Sequence, residues 1–170
     1  MVQNIILTIS ILILTACTNG NSALDKLKED YPKTVKKEAE VLPKDIQNEI
    51  VVPKRLPFNV KNVSIDVQKK IGTDMIDRTS INYADGKRVI LEVTTYHQKN
   101  IEFSGEGQQL TTKLKDGTKV IIVRDDKEGS KIIRWKKDGF YHEIMLVKLS
   151  DIDKNYTIKD LVETANSIYK

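Results

Sequence analysis

The sequence predicts an α+β fold, an antiparallel β-sheet of about six to eight strands covered by a C-terminal helix. From Leu56 onward apolar and polar residues alternate, and three Asp-Gly pairs each lie between strand-like stretches. Asp-Gly favours a hairpin turn because glycine adopts positive φ without a Cβ clash. The chain then ends in a stretch whose apolar residues recur at helical spacing.

The first pair, Asp85-Gly86, predicts a hairpin whose register follows from the apolar pattern. A three-residue loop over 84–86 pairs Tyr83 with Lys87 and Ile81 with Val89. This register places one set of apolar residues on a single face, namely Ile81, Tyr83, Val89, Leu91 and Val93. A two-residue loop would divide them between both faces, so the sequence favours the longer loop.

The second and third pairs predict two more hairpins. A loop over 115–117 places alternate residues on one face, namely Leu110, Thr112, Leu114, Thr118, Val120 and Ile122. The third hairpin, around Asp138-Gly139, is apolar on both faces of its strands and is therefore expected either in the centre of the sheet or under another layer. Together the hairpins predict an antiparallel sheet with one buried face.

The C-terminal helix is predicted to begin at Thr157. Asp160 follows three residues later, which approximates a capping box. The apolar residues of this stretch recur at helical spacing, namely Ile158, Leu161, Val162, Ala165, Ile168 and Tyr169. We expect this amphipathic face to cover the sheet.

An apolar run of about ten residues, 5–14, ends in Leu14-Thr15-Ala16-Cys17. The run is short of the ~20 residues needed to span a bilayer and is typical of a signal peptide. The four residues resemble the bacterial lipobox. The resemblance implies cleavage before Cys17, so that 1–16 is a lipoprotein signal peptide, and a thioether-linked diacylglyceryl group on the Cys17 thiol. Since Cys17 is the only cysteine, lipidation leaves no thiol for a disulfide.

The segment 17–50 is predicted to be the lipidated Cys17 followed by a charged tether with short helices. It is dense in Lys, Glu and Asp, its apolar residues are too sparse for a wide buried stripe, and Pro32 interrupts it. We expect a solvated spacer of about thirty residues between bilayer and sheet. The remainder, 51–170, is predicted to be a single domain, with Ile50-Val51-Val52 as an edge segment at its start.

Three further stretches resemble a known extracytoplasmic domain of unknown function. They are Pro53-Lys54-Arg55-Leu56-Pro57-Phe58, Trp135-Lys136-Lys137-Asp138-Gly139-Phe140-Tyr141, and the final helix with Leu161, Ala165 and Ile168. That family occurs in Gram-positive lipoproteins and in membrane-bound anti-sigma-type proteins, within the lipoprotein-carrier and sigma-regulator superfamily. The resemblance implies a curved, unclosed half-barrel sheet wrapped around one or more helices. It carries no catalytic residues to transfer.

The sequence predicts no metal, no cofactor and no enzyme activity. His97 and His142 lie in separate predicted strands, with no third ligand spaced to complete a zinc site, and are expected to be surface histidines. Neither a phosphate-binding loop nor a nucleophile elbow is present. The formal charge of +4 is too diffuse for a nucleic-acid groove.

Two functional hypotheses follow for a protein held by lipid at the outer face of the cell membrane. The first is a non-enzymatic module that contacts another envelope protein or senses envelope state. The second is a carrier or binder of a lipid-like apolar ligand on the concave sheet face. The same side chains would be ligand-facing or core, namely Ile81, Tyr83, Leu91, Val93, Trp135 and Met145. With aromatic residues at 6% of the chain, a filled core is favoured.

Overall fold

The computed structural model describes residues 21–99, 101, 103, 110–127, 129–149 and 153–169. The helices are α1 (Ser22–Asp30), α2 (Lys37–Ala39), α3 (Lys44–Glu49) and α4 (Ile158–Ile168), with a π-helical segment, Pro32–Lys36, before α2. The strands are β1 (Asn62–Lys69), β2 (Ile76–Ala84), β3 (Val89–Tyr96), β4 (Thr111–Lys113), β5 (Lys119–Asp125), β6 (Ser130–Lys137) and β7 (Phe140–Lys148). The predicted signal peptide and Cys17 lie outside the described residues.

The strands form one antiparallel sheet in the order β1-β2-β3-β7-β6-β5-β4. The sheet is unclosed, because β1 and β4 are its two edges. Strand β7 lies in the middle of the order, as the apolar pattern of the third hairpin predicts. The predicted α+β fold, with an antiparallel sheet and a C-terminal helix, is confirmed.

Two of the three predicted hairpin turns have the expected form. The backbone N–H of Leu114 donates to the carbonyl of Thr118, which leaves 115–117 as the loop. Asp138 and Gly139 both have positive φ, 51° and 88°, in a two-residue turn between paired Lys137 and Phe140. Such turns match the right-handed twist of the flanking strands.

The register predicted for the first hairpin is wrong. Tyr83 pairs with Leu91 rather than Lys87, and Ile81 pairs with Val93 rather than Val89. The cause is local, because the Asp85 carboxylate accepts hydrogen bonds from the backbone N–H groups of the three residues Lys87, Arg88 and Val89. The difference is an even number of residues, so the predicted face is unchanged.

Helix α4 covers the inner face of the sheet. The Thr157 side chain accepts a hydrogen bond from the Asp160 backbone and the Asp160 carboxylate accepts one from the Thr157 backbone, so the predicted capping box is present. Leu161 and Ala165 are fully buried. The indole N–H of Trp135 donates to the Tyr169 hydroxyl at 3.0 Å, which links the sheet to the end of the helix.

The N-terminal helices pack into the same core. Leu24, Val35 and Ala39 are at most 1% exposed and belong to one cluster with the buried sheet residues. The Thr34 hydroxyl also donates to the carbonyl of Val63 on edge strand β1. The predicted short helices are present, but the description of this segment as a solvated spacer is wrong for 21–50. Most of its few apolar residues face inward, whereas Val41 is 76% exposed.

The segment predicted as an edge strand, Ile50-Val51-Val52, has no strand pairing. Ile50 and Val52 are buried in the core. The backbone N–H of Val51 donates to the Thr95 hydroxyl at 3.3 Å, across the inner face of the sheet. A side chain therefore satisfies the backbone group that a neighbouring strand would otherwise bind.

Candidate functional site

Five of the six predicted ligand-facing or core residues lie together on the inner face of the sheet. They are at most 2% exposed, namely Ile81, Tyr83, Leu91, Val93 and Trp135. Met145 does not join them, because Ile144 and Leu146 take the inward positions of β7 and Met145 pairs with Glu92 on the opposite face. Its assignment to this group is wrong, because adjacent residues of a strand point to opposite faces of the sheet.

We call the face of the sheet opposite the helices the open face. It carries the alternate strand positions, among them Arg78, Ser80, Glu92, Thr94, Tyr96, Arg134, Tyr141 and Glu143. Tyr96 pairs with Tyr141 across β3 and β7, and Arg134 pairs with Glu143 across β6 and β7. The strand register therefore places aromatic and charged side chains side by side in the middle of the sheet.

An aromatic cluster, made of Tyr96, Phe103 and Tyr141, lies on the open face. The Phe103 ring centroid is 5.4 Å from that of Tyr96 and 5.0 Å from that of Tyr141, both in edge-to-face geometry. The Arg134 guanidinium carbon lies 3.5 Å from the Phe103 centroid, in a cation–π contact. Glu143 accepts a hydrogen bond from Arg134 Nε at 2.8 Å and fixes the guanidinium in this position.

No local sequence pattern indicates this cluster. Tyr96 and Tyr141 could have been placed on one face only with the observed register of β3 and β7, which are not neighbours in the chain. Phe103 comes from the connection between β3 and β4, where no periodicity indicates its position. No motif or spacing in the sequence distinguishes Arg134 from the many other basic residues.

A polar groove of about 340 Å³ continues the open face toward β1. Its lining includes Arg78, Ser80 and Glu92. Glu92 accepts hydrogen bonds from the hydroxyl of Ser80 at 3.2 Å and from that of Thr94 at 2.9 Å. The Arg78 guanidinium lies 5.9 Å from the centroid of the Tyr96 ring, so the groove and the aromatic cluster are contiguous.

A second cavity, which we call the Tyr83 pocket, lies under α1 on the inner side of the sheet. It has a volume of about 480 Å³, within the range of small-molecule sites. Its apolar wall includes Leu27, Val52, Pro53, Leu56, Val60 and Val63. Tyr83 and Tyr31 also line it, and the exposed Lys26, Asp30 and Lys54 lie at its mouth. Among the six predicted residues, Tyr83 is the one that lines this cavity.

Both histidines are buried, so their prediction as surface residues is wrong. The His97 side chain is 1% exposed, with Nδ1 2.6 Å from a Glu49 carboxylate oxygen and Nε2 3.1 Å from the Thr79 hydroxyl. His142 is 3% exposed and its Nδ1 has no hydrogen-bond partner among the described residues. Helix α3 covers the first, and the second lies beside Trp135 on the inner face. The described part of the chain contains no cluster of three metal-ligating side chains.

Burial of His142 predicts acid sensitivity of the fold. Desolvation, followed by the charges of His97 and Lys137, lowers the pKa of His142 from 6.5 to about 4. As the pH falls below 6.5, His142 becomes protonated in the unfolded chain, whereas in the folded chain it stays neutral until about pH 4. The free energy of unfolding therefore decreases between pH 6.5 and pH 4. We expect a loss of about 3 kcal/mol between the two limits, measured by urea unfolding at several pH values.

The His142→Gln variant serves as the comparison for this pH dependence. Carboxylates titrate in both proteins, so the difference between the two pH profiles isolates the imidazole. We expect the variant to lose less stability than the wild type between pH 6.5 and 4. Parallel profiles would contradict the assignment to His142.

Among the described residues, no helix is long and apolar enough to cross a membrane. No family model matches the chain, and neither a curated protein nor a solved structure is similar to it. The resemblances found in the sequence therefore stay predictions.

Proposed function

We propose that this protein is a lipid-anchored extracytoplasmic lipoprotein whose domain binds another envelope protein through its open face, without enzymatic activity. The observation that carries the proposal is the aromatic cluster with Arg134. Aromatic residues and arginine are enriched in the energetically dominant parts of protein interfaces. Arg134 is already held by Glu143 and by the Phe103 ring, so binding would cost little of its rotamer entropy.

The fold of the N-terminal segment supports a position close to the bilayer. Asn21, the fourth residue after Cys17, donates through its side-chain amide to the carbonyls of Gln47 and Ile50. Four residues span at most about 14 Å. With lipid on Cys17, the domain is therefore held against the outer face of the cell membrane rather than at the end of a thirty-residue tether.

The proposal predicts a specific partner contact that depends on the aromatic cluster. The full chain is expressed in its own host, its membranes are treated with a short amine-reactive crosslinker, and the crosslinked species are resolved by mass. We expect a discrete species with the wild type that is lost in both Arg134→Ala and Tyr141→Ala. The N-terminal peptide of the same preparation is expected to begin with diacylglyceryl-modified Cys17.

The matched control is Ile90→Ser, since Ile90 is 50% exposed at the end of the open face away from the cluster. It is expected to retain the crosslinked species. Melting curves of all three variants separate loss of contact from loss of fold. Persistence of the species in both cluster variants, or its absence from the wild type, would count against the proposal.

A second candidate function, binding of an apolar ligand, is favoured by the Tyr83 pocket. The pocket differs from the cavity predicted along the sheet, because most of the side chains expected to line that cavity are packed core. The specific observation is the apolar lining of this pocket, to which Leu27, Leu56 and Val60 contribute.

A further inference from the structure

The loop between β1 and β2, residues 70–75, carries an apolar side chain that no other part of the fold covers. We call this loop the tip. Ile71 is 99% exposed, and Met75, in the same loop, is 59% exposed. Turns favour Gly, Asn, Asp and Ser, and an isoleucine in water gains no free energy from burial. Packing within the domain therefore does not account for Ile71.

Backbone hydrogen bonds fix the shape of the tip. The N–H of Lys70 donates to the carbonyl of Met75, and the N–H of Thr73 donates to the carbonyl of Lys70. Gly72 has a φ of 76°, which suits the third position of the four-residue turn 70–73. Ile71 occupies the second position of this turn. It is therefore held in solvent at the far end of the hairpin.

The tip lies at the end of the sheet where the N-terminal segment begins. The Asn21 side chain donates to the carbonyl of Ile50 at 2.6 Å. The next residue, Val51, donates through its backbone to Thr95, which pairs with Thr79 of β2. Thr79 is three residues, or about 10 Å, from the first residue of β2, where the tip ends.

The reach of the predicted lipid anchor is similar to the height of the tip. Asn21 is the fourth residue after Cys17, and four residues span at most about 14 Å. The tip stands beyond the level of Asn21 by about 10 Å of strand and by the length of its own loop. With lipid on Cys17, the bilayer surface therefore lies within reach of Ile71.

Lysine residues surround the tip. Lys70 directly precedes Ile71, and Lys69 pairs with Asp74 at 2.9 Å across the base of the loop. The strand register places further lysines at this end of the sheet, namely Lys99, Lys113, Lys115, Lys119, Lys136 and Lys137. Among the described residues of this end the acidic ones are fewer, namely Glu49, Asp74, Asp77, Asp116 and Asp138. The excess of lysine favours an anionic surface.

A bilayer fits these features better than a protein surface does. The two exposed apolar side chains of the tip fall far short of the ~800 Å² that each partner of a stable protein interface buries. A bilayer accepts single apolar side chains, with basic residues beside them at the level of the headgroups. An apolar point among lysines, at the anchored end of the domain, has the chemistry that anionic lipid requires.

We propose that the tip inserts Ile71 and Met75 into a bilayer of anionic lipid, with Lys70 and the neighbouring lysines at the headgroups. The proposal rests on the lipid anchor of the proposed function and is independent of the partner contact. Cys17 and the tip then hold the domain at two points, with the strands standing on the membrane. The open face consequently points along the bilayer, toward other proteins held in the membrane.

The test places a fluorophore in the tip of the full lipidated chain. The thioether at Cys17 leaves no free thiol, so Met75→Cys takes a single nitrobenzoxadiazole label. In phosphatidylglycerol nanodiscs we expect blue-shifted emission and loss of quenching by iodide. Adding Ile71→Ser is expected to restore the aqueous emission and most of the iodide quenching. The melting temperature should not change, because Ile71 is exposed.

The matched control for the label is Leu149→Cys. Leu149 is 55% exposed, and its backbone donates to the carbonyl of Arg88 at the opposite end of the sheet. A label there is expected to keep its aqueous emission and full iodide quenching. Two further changes test the charge, since Lys70→Glu reverses it at the tip and phosphatidylcholine removes it from the bilayer. Each is expected to restore part of the quenching of the tip label.

Three outcomes overturn the proposal. The first is aqueous emission of the tip label in the lipidated chain, and the second is equal protection in phosphatidylglycerol and phosphatidylcholine. The third is protection in native membranes but not in nanodiscs, which would mean that a protein covers the tip.

The same preparation separates this proposal from the proposed function. Its intact mass reports the lipid on Cys17, and absence of that lipid would overturn both the anchor and the docking of the tip. Arg134→Ala, on the open face, should leave the tip label protected. If the crosslinked partner species is absent while the label is protected, the docking of the tip is supported and the open-face function is not.

Discussion

Leu24→Ala is expected to destabilise the domain by about 2–5 kcal/mol, the usual cost of truncating a fully buried leucine. Leu24 belongs to α1 and is 1% exposed within the core shared with the sheet. The cost combines lost burial with the cavity left behind, because α1 is held in place by its N-cap contacts to the residues around α3. Urea unfolding at pH 7, followed by circular dichroism, measures it.

Val41→Ala is the matched control for Leu24→Ala. Val41 lies in the same N-terminal segment but is 76% exposed. We expect its effect to stay within about 0.5 kcal/mol. A solvated tether would make both variants equal to the wild type, so equal stabilities would refute the packing of 21–50 into the core.

Trp135→Ala is expected to lower the free energy of unfolding by about 3–5 kcal/mol. Trp135 is 1% exposed and its indole N–H donates to the Tyr169 hydroxyl, so the substitution removes both core volume and the link between β6 and the end of α4. Since this is the only tryptophan, unfolding must be followed by circular dichroism rather than by fluorescence.

Tyr169→Phe separates the hydrogen bond of Trp135 from its packing. The variant leaves the buried indole N–H without its acceptor. We expect it to lower the free energy of unfolding by about 1–3 kcal/mol, less than Trp135→Ala. Lys119→Ala, at an exposed position of β5, should change stability by no more than about 0.5 kcal/mol. Equal effects of Tyr169→Phe and Lys119→Ala would show that the contact between Trp135 and Tyr169 contributes nothing measurable.

Local sequence predicted the turns well where the turn chemistry lies within a few residues. Gly139 follows Asp138 in a two-residue turn, and the capping box of Thr157 and Asp160 closes the start of α4. The register predicted for the first hairpin is wrong for an equally local reason. The Asp85 side chain accepts hydrogen bonds from three backbone N–H groups and so closes a longer loop. The alternation of apolar and polar residues is the same for both loops and does not distinguish them.

Burial could not be predicted where it depends on elements distant in the chain. Val35 looks like an isolated apolar residue between lysines, yet it is fully buried because the π-helical segment that carries it packs against α1 and against β1. His97 reads as a polar residue at a strand end, but α3 brings Glu49 over it. In each case the covering element lies tens of residues away.

The sequence by itself determined the α+β class, the hairpin positions, the inward face of β2 and β3, and α4. These follow from steric and hydrogen-bonding preferences of neighbouring residues, which act before any tertiary contact forms. Tertiary structure alone decided the packing of 21–50, the aromatic cluster of Tyr96, Phe103 and Tyr141, and the pocket between α1 and the segment 52–60. The physical reason is that burial and pairing across strands are properties of surfaces brought together by the fold, and no single stretch of chain contains both surfaces.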